Sequence, residues 1–235
     1  MNLLKASISV SMASLFAVAT AQAQVIYNDN IPDGTAQFDA VVAAAGGTVV
    51  TDSLSGLSGG TAWSRPGYTI TSTNGYYRYI DPWYLNSGEA IGIDPTYDDA
   101  HLSGLTFTFD APINAFGLEI GDWATCCFPS ALYISFDGGA TRQVAVANTD
   151  FDNPGYSDGY RNFVGAIDTT NTFTTITFYG DGDGEYLVAG GTIRYATLDI
   201  GSIPNPVPEP ETYGMLLAGL GIMGFVIRRR KPQHS

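Results

Sequence analysis

Leu105-Thr106-Phe107-Thr108-Phe109 decides the fold. In an extended chain successive side chains point to opposite faces, so the three large apolar residues share one face and the two threonines the other. Leu132-Tyr133-Ile134-Ser135-Phe136 repeats the pattern. Both stretches read as strands with one face buried. Weaker runs of the same period occur at 68–72, 115–120, 142–147, 172–179 and 192–200, separated by clusters of turn formers such as Asp137-Gly138-Gly139. One short helix is expected ahead of them, because Phe38, Val41, Val42 and Ala45 fall at i, i+3, i+4 and i+7, with Gly46-Gly47 as a stop. Many short strands without long intervening helices predict an all-β antiparallel sandwich, not a parallel α/β sheet. No fixed period is visible that would suit a propeller or solenoid.

The two ends of the chain read differently from this middle. Residues 1–23 have the form of a secretory signal peptide, with Lys5 in the n-region, an apolar stretch at 6–19 and Ala21-Gln22-Ala23 as a cleavage site. Residues 24–203 are then a single ectodomain, long enough for a full hydrophobic core. Four alternate prolines (Pro204, Pro206, Pro208 and Pro210) make 204–211 a stiff, extended spacer. Residues 212–227 follow as an uncharged apolar helix, closed by Arg228-Arg229-Arg230-Lys231. From Tyr213 onward that helix reaches roughly 22 Å against a hydrocarbon core of roughly 30 Å, so it spans only with snorkelling basic side chains and local thinning. The basic flank holds the tail in the cytoplasm and places the ectodomain outside.

The order Pro208-Glu209-Pro210, apolar helix, Arg228-Arg229-Arg230 at residues 207–231 resembles the PEP-CTERM sorting signal of Gram-negative bacterial surface proteins. The resemblance implies recognition by an exosortase, a membrane transpeptidase that removes the helix and passes the ectodomain to the cell surface or matrix. The run 107–122, with Phe107, Phe109, Pro112, Phe116 and Gly117, also resembles ectodomains found with this signal, commonly sandwiches of lectin-like or jelly-roll shape. It assigns no ligand.

Charge narrows the function classes. Of 23 acidic residues all but Glu209 and Glu211 lie in 24–203, which holds five arginines and no lysine, for a net charge of -16. Such a field repels phosphate backbones and anionic lipid, which excludes nucleic acid as a partner. Catalytic triads are also disfavoured: the ectodomain has one histidine, His101, and no G-x-S-x-G elbow.

Three groups of residues carry the remaining chemistry. Asp181, Asp183 and Glu185 in one glycine-containing loop, and Asp150, Asp152 and Asp158 in another, are hard oxygen ligands of the kind that hold Ca²⁺, although neither completes an EF-hand and both also suit ordinary turns. Cys126 and Cys127 are adjacent; in an oxidising compartment they form either a vicinal disulfide or a bridge between chains. Trp63, Trp83 and Tyr84, with Tyr76, Tyr77 and Tyr79, crowd a segment rich in Gly, Ser and Pro, where flat rings suit stacking on sugars, or packing in the core. These readings converge on an exported, non-enzymatic surface or matrix protein. Its role is structural or glycan-binding, in exopolysaccharide or biofilm. The alternative is a secreted carbohydrate-active hydrolase using paired carboxylates.

Overall fold

The computed structural model describes residues 24–85, 87–94, 103–168, 170–181 and 186–202. The signal segment 1–23, His101, Asp183, Glu185, the spacer 204–211, the apolar helix 212–227 and the sorting residues Pro208, Glu209, Pro210, Arg228, Arg229 and Arg230 lie outside the described residues. Among the described residues no helix is long and apolar enough to cross a membrane.

In chain order the elements are β1 (Gln24–Asn30), α1 (Ile31–Ala44), β2 (Val50–Ser53), β3 (Ala62–Arg65), β4 (Tyr68–Ser72), β5 (Ile80–Asp81), β6 (Ala90–Ile93), β7 (Gly104–Ile113), β8 (Ala115–Gly121), β9 (Ser130–Phe136), β10 (Arg142–Ala147), β11 (Asn162–Asp168), β12 (Phe173–Asp181) and β13 (Leu187–Ala196). They form two antiparallel sheets. One runs β1-β11-β8-β13-β6-β5, with β2 also pairing to β13; the other runs β10-β9-β12-β7-β4-β3. The expected all-β antiparallel sandwich is therefore the observed architecture.

The core lies between the sheets. Leu105, Phe107 and Phe109 point inward from β7 against Phe116, Leu118 and Ile120 of β8, while Thr106 and Thr108 face away, as the alternation predicts. Phe107 and Phe116 meet with ring centroids 5.0 Å apart. The sheet carrying β8 is covered on its outer face as well. Helix α1 lies there, and Phe38 and Val42 pack against Ala115, Phe163, Ile167 and Leu198 in a second apolar cluster. Consequently β8 and β11 are buried on both faces, while β6 is covered separately, Ala90 packing with Leu85 and Val188.

The helix starts earlier than the Phe38 pattern implies. Asn30 caps it: its side-chain oxygen accepts the Asp33 N–H at 3.0 Å, and Pro32 occupies the first turn, where a missing N–H costs nothing. Beneath the helix the Phe163 ring is held among three glycines. A Cβ on Gly117 would sit 2.3 Å from Phe163 Cζ, one on Gly165 2.7 Å from Cε1, and one on Gly34 2.9 Å from Cδ1. Only bare backbone allows helix and sheet to close on that ring.

Candidate functional site

Strand register assembles one end of the sandwich. Asn30 pairs with Asn162, Asn162 with Ile120, Gly121 with Val188, Leu187 with Ile93, and Ile80 with Ile91. The residues just beyond these pairs (Tyr79, Asp94, Asp122, Arg161 and Tyr186) therefore emerge together.

A cavity of about 370 Å³ opens there, lined by Tyr76, Tyr77, Arg78, Tyr79, Gly92, Asp94 and Tyr186. Tyr77 and Tyr79 meet edge to face at 5.3 Å, and Tyr84 lies 6.3 Å from Tyr186. Tyr186 fits over Gly92, where a Cβ would fall 2.6 Å from its hydroxyl oxygen. Arg78 is buried in the cavity wall, donating to Ser72 Oγ at 3.3 Å and to Asn74 Oδ1 at 3.1 Å. The outer rings are not held by packing. Tyr79 is 74% exposed and Trp83 82%.

Local turn chemistry aims the next aromatics. Asp81 Oδ1 accepts the Trp83 N–H at 2.8 Å and the Tyr84 N–H at 3.4 Å, folding the Asp81-Pro82-Trp83-Tyr84 segment back on itself. The Tyr84 hydroxyl donates to Asp122. Burial pushes the Asp122 carboxyl up from its ordinary range, partly offset by hydrogen bonds from Tyr84 and Thr125. Burial, followed by the charges of Asp81 and its neighbours, pushes Tyr186 up to about 12. At neutral pH this phenol is a hydrogen-bonding hydroxyl, not a phenolate.

A second pair of loops borders Asp122 from the other side. Phe151 and Tyr156 stack obliquely at 4.6 Å, and Tyr156 meets Tyr160 edge to face at 5.6 Å. Arg161 Nε donates to the Tyr84 carbonyl at 3.0 Å, tying this loop to the Trp83 turn. Buried Asn153 donates to the Trp123 carbonyl at 2.6 Å and accepts the Gly155 N–H at 2.7 Å. Sequence reading passes over Phe151, Tyr156, Tyr160 and Tyr186. The signal is the same one that marks Trp83: an aromatic in a loop of Gly, Asp and Asn.

The other sequence candidates are placed as follows. Trp63 is a core residue, not a stacking platform: the alternation of β3 turns its ring inward, it is 7% exposed, and its indole N–H donates to the Ser58 carbonyl at 2.7 Å. Cys126 and Cys127 are bonded to each other, which resolves the two possibilities in favour of the vicinal bridge. Asp150, Asp152 and Asp158 do not converge as a cation cage. Asp152 Oδ2 accepts the N–H groups of Asn148 at 2.8 Å and Thr149 at 3.0 Å, so its lone pairs serve as a turn cap, and these bonds draw its pKa below the ordinary value. Among the described residues no three His, Cys, Asp or Glu side chains are gathered as a metal set. Asp181 ends β12, and its loop partners Asp183 and Glu185 lie outside the described residues.

Among solved structures, the chain is similar to a mutant of CBM29-2, a family 29 carbohydrate-binding module (TM-score 0.39, 12% identity, 68% of this chain and 99% of that one). It is similar to another family 29 carbohydrate-binding module at TM-score 0.38 and 11% identity, over 69% of this chain and 99% of that one. The enzymatically active domain of bacteriophage CBA120 tailspike protein 4 aligns at TM-score 0.26 and 14% identity, over 72% of this chain and 21% of that one. No curated protein matches the chain. Residues 206–231 match the family model of the PEP-CTERM protein-sorting motif. The chain thus carries a C-terminal PEP-CTERM signal, which implies export through a transiently membrane-anchored stage.

Proposed function

We propose that this is a surface or matrix protein of a Gram-negative cell that an exosortase processes at its C-terminal signal, and whose folded domain binds glycan without turning it over. The observation that supports this most is the set of solvent-facing rings, Tyr79, Trp83 and Tyr84, beside a tyrosine-lined cavity of about 370 Å³. Sugars present apolar C–H faces and polar rims. Aromatic faces stack on the former while a few fixed phenols and carboxylates bond the latter, the usual composition of a small-molecule site. Trp83 and Tyr84 stand on a short turn pinned by Asp81 and Arg161, so little backbone entropy remains to be lost there on binding. An extracellular polysaccharide or biofilm matrix is the corresponding partner.

The test is isothermal titration of the exported protein against neutral oligosaccharides, with reducing-sugar release followed in parallel. Tyr79→Ala with Trp83→Ala should weaken binding by about tenfold or more, equivalent to about 1.4 kcal/mol, and no sugar should be released. Release that disappears in Asp81→Asn or Asp122→Asn would instead support the paired-carboxylate hydrolase. Unaltered binding in the aromatic variant would remove the cavity from consideration.

A further inference from the structure

We infer that Phe151, Tyr156 and Tyr160 form a second stacking platform that continues the cavity across Asp122, so that the site takes an extended, uncharged polysaccharide chain. This rests on the glycan-binding reading above and adds the form of the ligand. Phe151 is 73% exposed yet lies only 4.6 Å from the Tyr156 ring. An apolar side chain held in water in a fixed pairing has no role in the core.

The platform is continuous with the cavity. Arg161, the residue after Tyr160, donates to the Tyr84 carbonyl at 3.0 Å, the Tyr84 hydroxyl donates to Asp122, and the Tyr84 ring lies 6.3 Å from Tyr186 in the cavity wall. The loops that carry it are fixed to each other by the Asn153–Trp123 bond and to the Trp83 turn by Arg161. Strain is concentrated here too. Of the non-glycine residues with positive φ among those described, Asp122, Ala124, Cys127 and Tyr160 lie on these two loops, and Asp137 alone stands elsewhere, in a Gly-containing turn. Left-handed backbone at residues with a Cβ is unfavourable and clusters where geometry is needed for binding.

Charge selects the ligand. Asp81, Asp94 and Asp122 lie about the cavity and Asp150 beside the second platform, against the two guanidinium groups of Arg78 and Arg161, so the charge along the site is negative on balance. A uronate or sulfate on every repeat would meet net like charge, whereas hydroxyl groups find acceptors.

Titration of the exported protein with cello- and manno-oligosaccharides of about two to six units tests this. Affinity for at least one series should rise about tenfold or more with length. Phe151→Ala with Tyr156→Ala should abolish that rise while leaving the shortest binders and the melting temperature unchanged. Binding that needs Tyr79 and Trp83 but is indifferent to length and to Phe151 would overturn the second platform and leave the glycan reading standing. No binding by any probe would overturn both. Polygalacturonate bound as tightly as a neutral chain would overturn the charge argument. Self-association that disappears in the Phe151 and Tyr156 variant, without any glycan binding, would overturn the platform by assigning the patch to a second copy of the chain.

Discussion

Gly117→Ala tests why helix α1 can lie on the sheet. The new Cβ would sit 2.3 Å from Phe163 Cζ and 2.7 Å from Cε2. The ring has nowhere to retreat, since Gly165, Gly34 and the Phe38 ring at 5.5 Å bound it on other sides. Overpacking of this kind costs about 1–3 kcal/mol, while replacing glycine by alanine returns about 0.4–1 kcal/mol through the unfolded chain, so the clash wins. Phe163→Ala opens the same space from the other side. For a fully buried phenylalanine it should cost about 3–5 kcal/mol, lowering the melting temperature by about 6–20 °C in a domain of this size. The double variant distinguishes this account from a diffuse destabilisation. With the ring gone, the methyl group added at position 117 meets no obstacle, and combining Gly117→Ala with Phe163→Ala should be neutral or stabilising by up to about 1 kcal/mol relative to Phe163→Ala alone. Urea unfolding of the wild type, both single variants and the double variant measures the coupling. Additivity within about 0.5 kcal/mol would refute the reasoning, because independent sites add and touching ones do not.

Glu119 is buried on the outer face of β8, and burial raises its pKa despite hydrogen bonds from the Ser87 hydroxyl and the Thr192 N–H and the charge of Arg194. A raised carboxyl contributes stability below its unfolded value of about 4.3 and loses it as pH rises through the folded pKa. Glu119→Gln should therefore gain on the wild type as pH rises above about 4 in thermal melts, and a pH-independent difference would discount the burial argument. Calcium binding by the loop of Asp181, Asp183 and Glu185 should raise the melting temperature by about 3–6 °C at ten times the dissociation constant, and Asp181→Asn with Asp183→Asn should remove the rise. Equal melting in chelator and in millimolar Ca²⁺ would make that loop only a turn. Intact-mass analysis of surface material should find a C-terminus lacking residues 213–235, and recovery of the full C-terminus there would refute processing.

The strands legible in the sequence are those with one wet face. In β7, Thr106 and Thr108 look outward and the phenylalanines inward, so the period of two survives in the sequence. In β11 both faces are covered, and Asn162-Phe163-Val164-Gly165-Ala166-Ile167-Asp168 has no alternation to detect. The cover is α1, whose first turns are polar and contain a proline, so the pattern from Phe38 onward reveals only its second half. At the site, Trp63 and Trp83 share the same composition of neighbours. What separates them is the pairing of β3 with β4, a long-range fact that draws one ring into the core and leaves the other in solvent. Asp150, Asp152 and Asp158 draw attention to a loop that matters for a different reason. Its carboxylates include a cap, and the residues between them carry the exposed rings.

Topology relates the site to the sorting signal. Gln24 pairs with Asp168, and Ala115 pairs with both Ile167 and Ala196, so the described chain enters and leaves at one end of the sandwich. The exit is pinned there by buried Asn114, which donates to the Leu198 carbonyl at 2.9 Å and accepts the Leu198 N–H at 2.7 Å. The aromatic cavity is at the other end, beyond Leu187. The 10 residues of β13 run between the two ends, about 30 Å at roughly 3.3 Å per residue. The sorting motif begins at residue 206, a few residues past Ser202, so the tether joins the blunt end. On the proposed reading, a membrane or matrix anchor attached there would not compete with a polymer for the rings, and the domain should bind through the same surface before and after removal of the signal.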